Sequence, residues 1–230
     1  DRFRKHCLWR GSDINGRTLP KAAWEMITKP KSEGGLGVIN IETQNRALLM
    51  KNLDKFYNKK DIPWVNLVWE KQYKNGKLPD HTKKGSFWWR DILKLVNQFK
   101  EMTKIQLKDG NSCLFWKDDW YNGNLKTQYP ESFSFAKNGS ISVNKAHNSE
   151  SIFDLFSLPL SEVAYNQVLN IQQSLQAIVL SNEPDVWTLN RGAKFSLAAA
   201  YKRLIGHHDT DQVYKWIWRS SCQPKHKVFA

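Results

Sequence analysis

Between residues 43 and 58, apolar side chains return at helical spacing, with Leu49, Met50, Leu53, Phe56 and Tyr57 on one face. This stripe constrains the fold more than any other feature of the chain, because such a face must be covered by other elements. Lys51, Lys55 and Lys59 recur every fourth residue. At about 100° per residue their mean direction lies roughly opposite the stripe. The geometry predicts a helix that buries its apolar face and turns a row of ammonium groups to solvent or phosphate.

Helical signals continue on both sides. Residues 1–30 read as a short helix, a polar turn over 11–16 and a second short helix over 21–27, closed by Pro30. Gly34-Gly35-Leu36-Gly37 is a turn into a brief extended stretch, 38–41. Asp61 is placed to cap a helix with Pro63 in its first turn and Trp64, Val65, Val68 and Trp69 on its apolar face. Residues 75–85 form a polar, basic loop. Ser86 can cap the next helix, whose stripe is Trp89, Ile92, Leu93, Val96 and Phe99. Further helices are predicted near 160–178, 197–205 and 211–219. The first of these is rich in Gln and Asn and is expected to be only partly buried.

Two hairpins are predicted. One pairs 105–107 with 113–116 around Asp109-Gly110, where glycine supplies the positive φ of a tight turn. The other pairs 186–189 with 193–196 around Asn190-Arg191-Gly192. Residues 121–150, rich in Asn, Ser and Gly, read as loop. The expected fold class is mainly α (α+β), a helical part followed by a connector with two small β-hairpins and short helices.

The formal net charge of +13 is unevenly spread. Residues 51–100 hold twelve basic and five acidic side chains, residues 101–150 six of each, and residues 151–200 two basic against four acidic. A basic half beside a neutral one is the electrostatic footprint of a polyanion-binding protein; a merely solvated surface is the other reading. The densest tract comprises Lys51, Lys55, Lys59, Lys60, Lys71, Lys74, Lys77, Lys83, Lys84, Arg90 and Lys94. Cys7, Cys113 and Cys222 are far apart and odd in number, which argues against a disulfide framework and for a reducing, intracellular compartment, nuclear or cytoplasmic. No apolar run approaches the roughly 18 residues of a membrane span, so no membrane partner is expected. The chain starts at Asp1 and stops within the apolar run Val228-Phe229-Ala230, so both ends are expected to be cut.

Asp118-Asp119 invites comparison with the paired aspartates by which polymerases hold two metal ions. Trp116-Lys117 precedes the pair, a lysine there opposes metal binding, and no second acidic motif on a strand lies upstream. The residues favour a turn held by Asp-to-backbone bonds between packed indoles. Gly34-Gly35-Leu36-Gly37 lacks the Gly-Lys-Ser/Thr ending or the spacing of a phosphate cradle and reads as a structural turn. His207-His208 with Asp209 and Asp211 reads as a solvated helix exit rather than a metal site. Trp88-Trp89-Arg90 invites a base-stacking reading, but Trp89 lies on the apolar stripe and both indoles are expected in the core.

The order and spacing of several aromatic and glycine motifs carry a resemblance. They are Leu8-Trp9-Arg10-Gly11, Pro30-Lys31-Ser32-Glu33-Gly34-Gly35-Leu36-Gly37, Ser86-Phe87-Trp88-Trp89-Arg90-Asp91, Phe115-Trp116-Lys117-Asp118-Asp119-Trp120 and Trp216-Ile217-Trp218 ahead of Pro224-Lys225. Together they are similar to the stretch downstream of the polymerase palm in plant non-LTR (LINE-type) retrotransposon polyproteins. Asn45, Ala47, Leu48 and Leu49 match the helix that follows the glycine turn in that family. Trp187, Arg191-Gly192-Ala193-Lys194-Phe195-Ser196 and Ala200-Tyr201-Lys202-Arg203-Leu204 resemble the lead-in to its zinc-binding reverse-transcriptase domain.

The resemblance implies a parent RNA-directed DNA polymerase (reverse transcriptase) with the catalytic part outside these residues. It divides the chain into a basic, thumb-like helical region (1–100), a connector (101–185) and a truncated lead-in of the zinc-binding domain (186–230). It implies no cofactor in this segment, Mg for the parent polymerase and Zn for the downstream module, and nucleic-acid partners: RNA template, DNA primer or target. The expected function is a non-catalytic C-terminal fragment that contributes template–primer binding. A host-encoded nucleic-acid-binding module derived from such an element, or a degenerate non-functional fragment, are the alternatives.

Overall fold

The computed structural model describes residues 2–11, 15, 19–20, 22–73, 78, 85–190, 192–206, 210–223 and 227. In chain order the helices are α1 (Arg2–Arg10), α2 (Trp24–Thr28), a 3-10 turn (Lys31–Glu33), α3 (Ile41–Tyr57), α4 (Pro63–Gln72), α5 (Phe87–Leu93) and α6 (Val96–Met102). Strand β1 (Thr103–Gln106) follows, then α7 (Leu125–Gln128), α8 (Pro130–Ser134), α9 (Val143–His147), a 3-10 turn (Ile152–Leu155), α10 (Glu162–Gln176), strand β2 (Val186–Leu189), α11 (Leu197–Ile205) and α12 (Gln212–Arg219). The fold is mainly α. The chain forms two compact units, Asp1–Leu48 with Ala198–Ala230, and Leu49–Leu197.

In the larger unit, the stripe of α3 is buried as its spacing requires: Met50, Leu53, Phe56 and Tyr57 are fully covered. Aromatic rings from α4, α5, α6 and β2 close over it. Phe56 stacks on Trp69 at 4.7 Å and meets Trp89 at 4.9 Å, while Tyr57 stacks on Phe99 at 5.6 Å and meets Trp187 at 5.0 Å. Two indole N–H groups around this stripe find acceptors, Trp69 at the Phe56 carbonyl and Trp89 at the Tyr73 hydroxyl. A second cluster gathers Phe115, Trp116, Trp120, Leu125, Val143 and Phe156 against Val168, Ile171 and Leu175 of α10.

The strands differ from the two predicted hairpins. β1 pairs antiparallel with β2, Thr103 opposite Leu189 and Gln106 opposite Val186. The turn at Gly110 exists, with φ 68, but residues 113–116 do not return as a strand because Cys113, Phe115 and Trp116 are drawn into the second core. Among the described residues, a single bridge, Leu189 to Ala193, remains of the second hairpin. Asp185 anchors the start of β2. Its buried carboxylate accepts the N–H groups of Lys108, Gly110 and Ser112 at 2.8–2.9 Å and the Ser112 hydroxyl at 2.9 Å.

Other expectations are corrected locally. Residues 121–150 contain α7, α8 and α9, started by the side-chain caps Asn124 and Ser142 and by Pro130. α4 is preceded by Ile62 without a side-chain cap, and Asp61 instead accepts the Asn66 amide at 3.0 Å. α10 is partly buried, as expected: Ala164, Val168, Ile171 and Leu175 are covered, and Gln167 beside them accepts from Ser132 N at 2.9 Å. Ser86 caps α5 as predicted, its hydroxyl accepting from Trp89 N at 3.3 Å.

In the smaller unit, the glycine turn is structural. Gly34 and Gly37 have φ of 80 and 69, and a Cβ at Gly35 would stand 2.1 Å from the Lys29 carbonyl oxygen. The turn brings Leu36 N and Val38 N to the carbonyl of Ile27. α12 packs on the Lys31–Glu33 turn, with the Lys31 ammonium 4.5 Å from the Trp218 ring. Asn40 N donates to the Tyr201 hydroxyl at 2.9 Å, and its side chain accepts from Thr43 N to begin α3. His207, His208 and Asp209 lie outside the described residues.

Candidate nucleic-acid interface

The described basic residues of the tract lie on or just beyond α3, α4 and α5, whose inner faces carry the aromatic core of the larger unit. Lys51 and Lys60 are exposed and Lys55 is half-buried. These three act on one carboxylate: burial pushes the Asp54 carboxyl up, while Lys60, the Asn58 hydrogen bond, Lys51 and Lys55 pull it down. Asp54 itself accepts from the Asn58 amide at 2.9 Å.

Lys59 leaves the row. Its φ of 42 ends α3 in the left-handed region, and Lys60 N closes back on the Lys55 carbonyl. Lys59 turns inward, its ammonium 3.0 Å from Asp109 and 5.0 Å from the Trp69 ring. Lys71 at the end of α4 and Arg90 on α5 are exposed, and Lys94 is exposed but paired with Asp91 at 2.7 Å. Lys74, Lys77, Lys83 and Lys84 lie outside the described residues.

The two indoles of α5 part company. Trp89 is buried, as expected, but Trp88 is 39% exposed and is a correction to the expected core position. It rests edge-on against Trp64, and the preceding Phe87 is more exposed still. A cap at Ser86 sets the register, and only one of two adjacent residues at the start of a helix can face the core.

The acidic pair is a turn. Asp118 is buried; one carboxylate oxygen accepts from Leu114 N at 2.7 Å and the other from Lys100 at 2.6 Å. Asp119 accepts from Gly123 N, and Trp120 donates to the Phe115 carbonyl. Both carboxylates are thus committed to the protein itself, and no cluster of three His, Cys, Asp or Glu side chains able to hold a metal ion occurs among the described residues. The Asp118-Asp119 turn therefore does not fit an Mg ion, and no Zn ligand set occurs among the described residues. Burial pushes the Cys113 thiol well above its ordinary range, which makes it a packing residue rather than a nucleophile.

Three residues were invisible to sequence reasoning. Lys100 was not singled out, yet it neutralises Asp118. Asp185 carried no motif, yet it organises the 108–112 turn. Asn58 sits past the end of a helix, yet its amide exchanges two hydrogen bonds with the backbone of Trp187. Polar residues this ordinary acquire a role only from what they meet in space.

No family model matches the chain, and no solved structure matches it. Among curated proteins, it is 32% identical over 129 residues to a protein of Arabidopsis thaliana named "Putative ribonuclease H protein". That match covers 54% of this chain and spans 20% of the length of the Arabidopsis protein.

Proposed function

We propose that this chain is a non-catalytic segment of a plant retroelement polyprotein carrying a reverse transcriptase, and that its basic helical face grips the template–primer duplex. The observation that carries this reading is the set of Lys51, Lys55 and Lys60 on and just beyond a helix whose opposite face is fixed in an aromatic core. Ammonium groups on a rigid support neutralise phosphates at little entropic cost. Lys71 on α4 and Arg90 on α5 are further exposed cations of the same unit. The motif order described above supports the reverse-transcriptase context. The named activity of the Arabidopsis relative supports the same class of partner, because a ribonuclease acts on nucleic acid.

The test is charge reversal at positions that leave the core untouched. Lys51→Glu with Lys55→Glu should weaken binding to an RNA–DNA hybrid and lower the slope of log affinity against log salt by up to about 1.8, at roughly 0.9 per lost phosphate contact. Titrations by fluorescence anisotropy over a salt series measure both quantities. Unchanged affinity would remove this face from the reading.

A further inference from the structure

We propose that α1 is a second nucleic-acid contact, an arginine-rich helix in the smaller unit that holds the phosphate backbone of a duplex. The proposal adds a site to the lysine face of α3 and rests on the same class of partner.

The smaller unit is the more basic of the two. Asp1–Leu48 with Ala198–Ala230 holds fifteen Lys or Arg against seven Asp or Glu, while Leu49–Leu197 holds twenty against fifteen. In α1, Arg2, Arg4, Lys5 and Arg10 share nine residues with no acid, and none of the nine is buried. Arg2, Lys5 and Arg10 are exposed and form no ion pair with a described residue. The middle of the helix is anchored. The Arg4 guanidinium and the Lys5 ammonium lie 5.4 and 5.6 Å from the ring of Trp24, which is buried on α2. Gly11, at φ 61, closes the helix end by donating its N–H to the Cys7 carbonyl at 3.2 Å. Glu25, next to Trp24 on α2, is an exposed acid; Asp1 and Asp13, on either side of α1 in sequence, lie outside the described residues.

Arg2, Lys5 and Arg10 line a groove of about 1070 Å³ together with Phe3, His6, Trp9 and Pro20. The six residues from α1 fall within about 160° of one another at 100° per residue, so they share one face of the helix. Charge, size and residue type choose the occupant. Three cations and no carboxylate among the described lining residues call for an anion. The volume exceeds the roughly 300–1,000 Å³ of small-molecule sites, so a strand suits the groove better than a free phosphate. Three of the four cations of α1 are arginine, whose planar fork meets phosphate oxygens two at a time. An anionic bilayer fits less well, because a helix lying in a membrane surface needs one apolar face. Around α1, Cys7, Leu8 and Trp9 stand about 40°, 140° and 240° from Phe3, with Arg4, Lys5, Arg2 and Arg10 between them.

The experiment uses the full chain and a fluorescently labelled DNA duplex over a salt series. Arg2→Gln with Arg10→Gln should lower affinity about tenfold or more near about 0.1 M salt. The slope of log affinity against log salt should fall by up to about 1.8, two contacts at roughly 0.9 each. Arg2→Lys with Arg10→Lys keeps both charges and should keep the slope. A slope that falls as far with lysine as with glutamine places the loss in the helix and not in its charge, and overturns the contact. Unchanged duplex affinity in the glutamine pair overturns it too. If that pair instead loses binding to phosphatidylserine vesicles while duplex affinity holds, α1 serves a membrane and the assignment fails. With Lys51→Glu and Lys55→Glu measured in parallel, a loss there alone sinks the α1 contact and leaves the α3 grip standing. A loss in the α1 variant alone does the reverse. A wild-type chain that binds no duplex sinks both.

Discussion

Asp118 illustrates how much a single residue can depend on a partner that no local pattern reveals. Its side chain is 2% exposed, and the Lys100 ammonium that meets it is 16% exposed and lies within 5.6 Å of the Tyr57 and Trp187 rings. Removing the cation strands a buried negative charge. Lys100→Met is therefore expected to cost about 3–5 kcal/mol, read from urea unfolding. Adding Asp118→Asn should recover part of the loss, because the amide oxygen still accepts from Leu114 N and carries no charge. A double variant no better than the single would show that the pair does not matter electrostatically. The turn around Asp118-Asp119 was legible, since Trp116, Lys117 and Trp120 flank it in sequence. The choice of Lys100 was not, because an ion pair is decided by approach in space. The same limit explains Trp88: its neighbour Trp89 shares the residue type and differs only in the side of the helix it occupies.

At the level of elements, the helices followed from apolar spacing, because a period of 3.6 is a local property. The short helices within 121–150 escaped notice for a physical reason. Asn, Ser and Pro favour loops, and the same side chains start helices by accepting orphan N–H groups or presetting φ. The strands misled differently. Asp109-Gly110 does turn, but Asp185 draws the N–H groups of Lys108, Gly110 and Ser112 to itself, so the turn is a cage around a carboxylate and not the head of a hairpin.

The same turn has a pH signature. Burial pushes the Asp109 carboxyl up, but hydrogen bonds from the Asn111 side chain and backbone and the Lys59 ammonium outweigh it, leaving it below the ordinary carboxylate range. A carboxylate lowered on folding contributes stability above its unfolded value, about 3.9, and loses that contribution as pH falls through the lower folded value. Lys59→Met should therefore destabilise the chain by about 1.5–3 kcal/mol at neutral pH and shrink the stability lost below pH about 4. Thermal unfolding at a series of pH values measures both effects. A variant whose acid dependence matches the wild type would detach Lys59 from Asp109.

For the molecule as a whole, the uneven charge makes a prediction independent of any single lysine. Binding through phosphates carries no base information, so two duplexes of unrelated sequence should bind with equal affinity, and log affinity should fall linearly with log salt. A reproducible preference for one duplex, or affinity indifferent to salt, would argue against a backbone grip. The sequence by itself determined the helical character, the buried stripe of α3, the glycine turn and the basic bias, because each is written in neighbouring residues or in composition. Only the tertiary structure decided that β1 pairs with β2, that residues 1–48 gather with 198–230, and that Lys59 faces inward while Trp88 faces out. Those outcomes depend on which groups meet after the chain has closed long loops, and the gain from such meetings comes from desolvation and pairing that no short window of sequence contains.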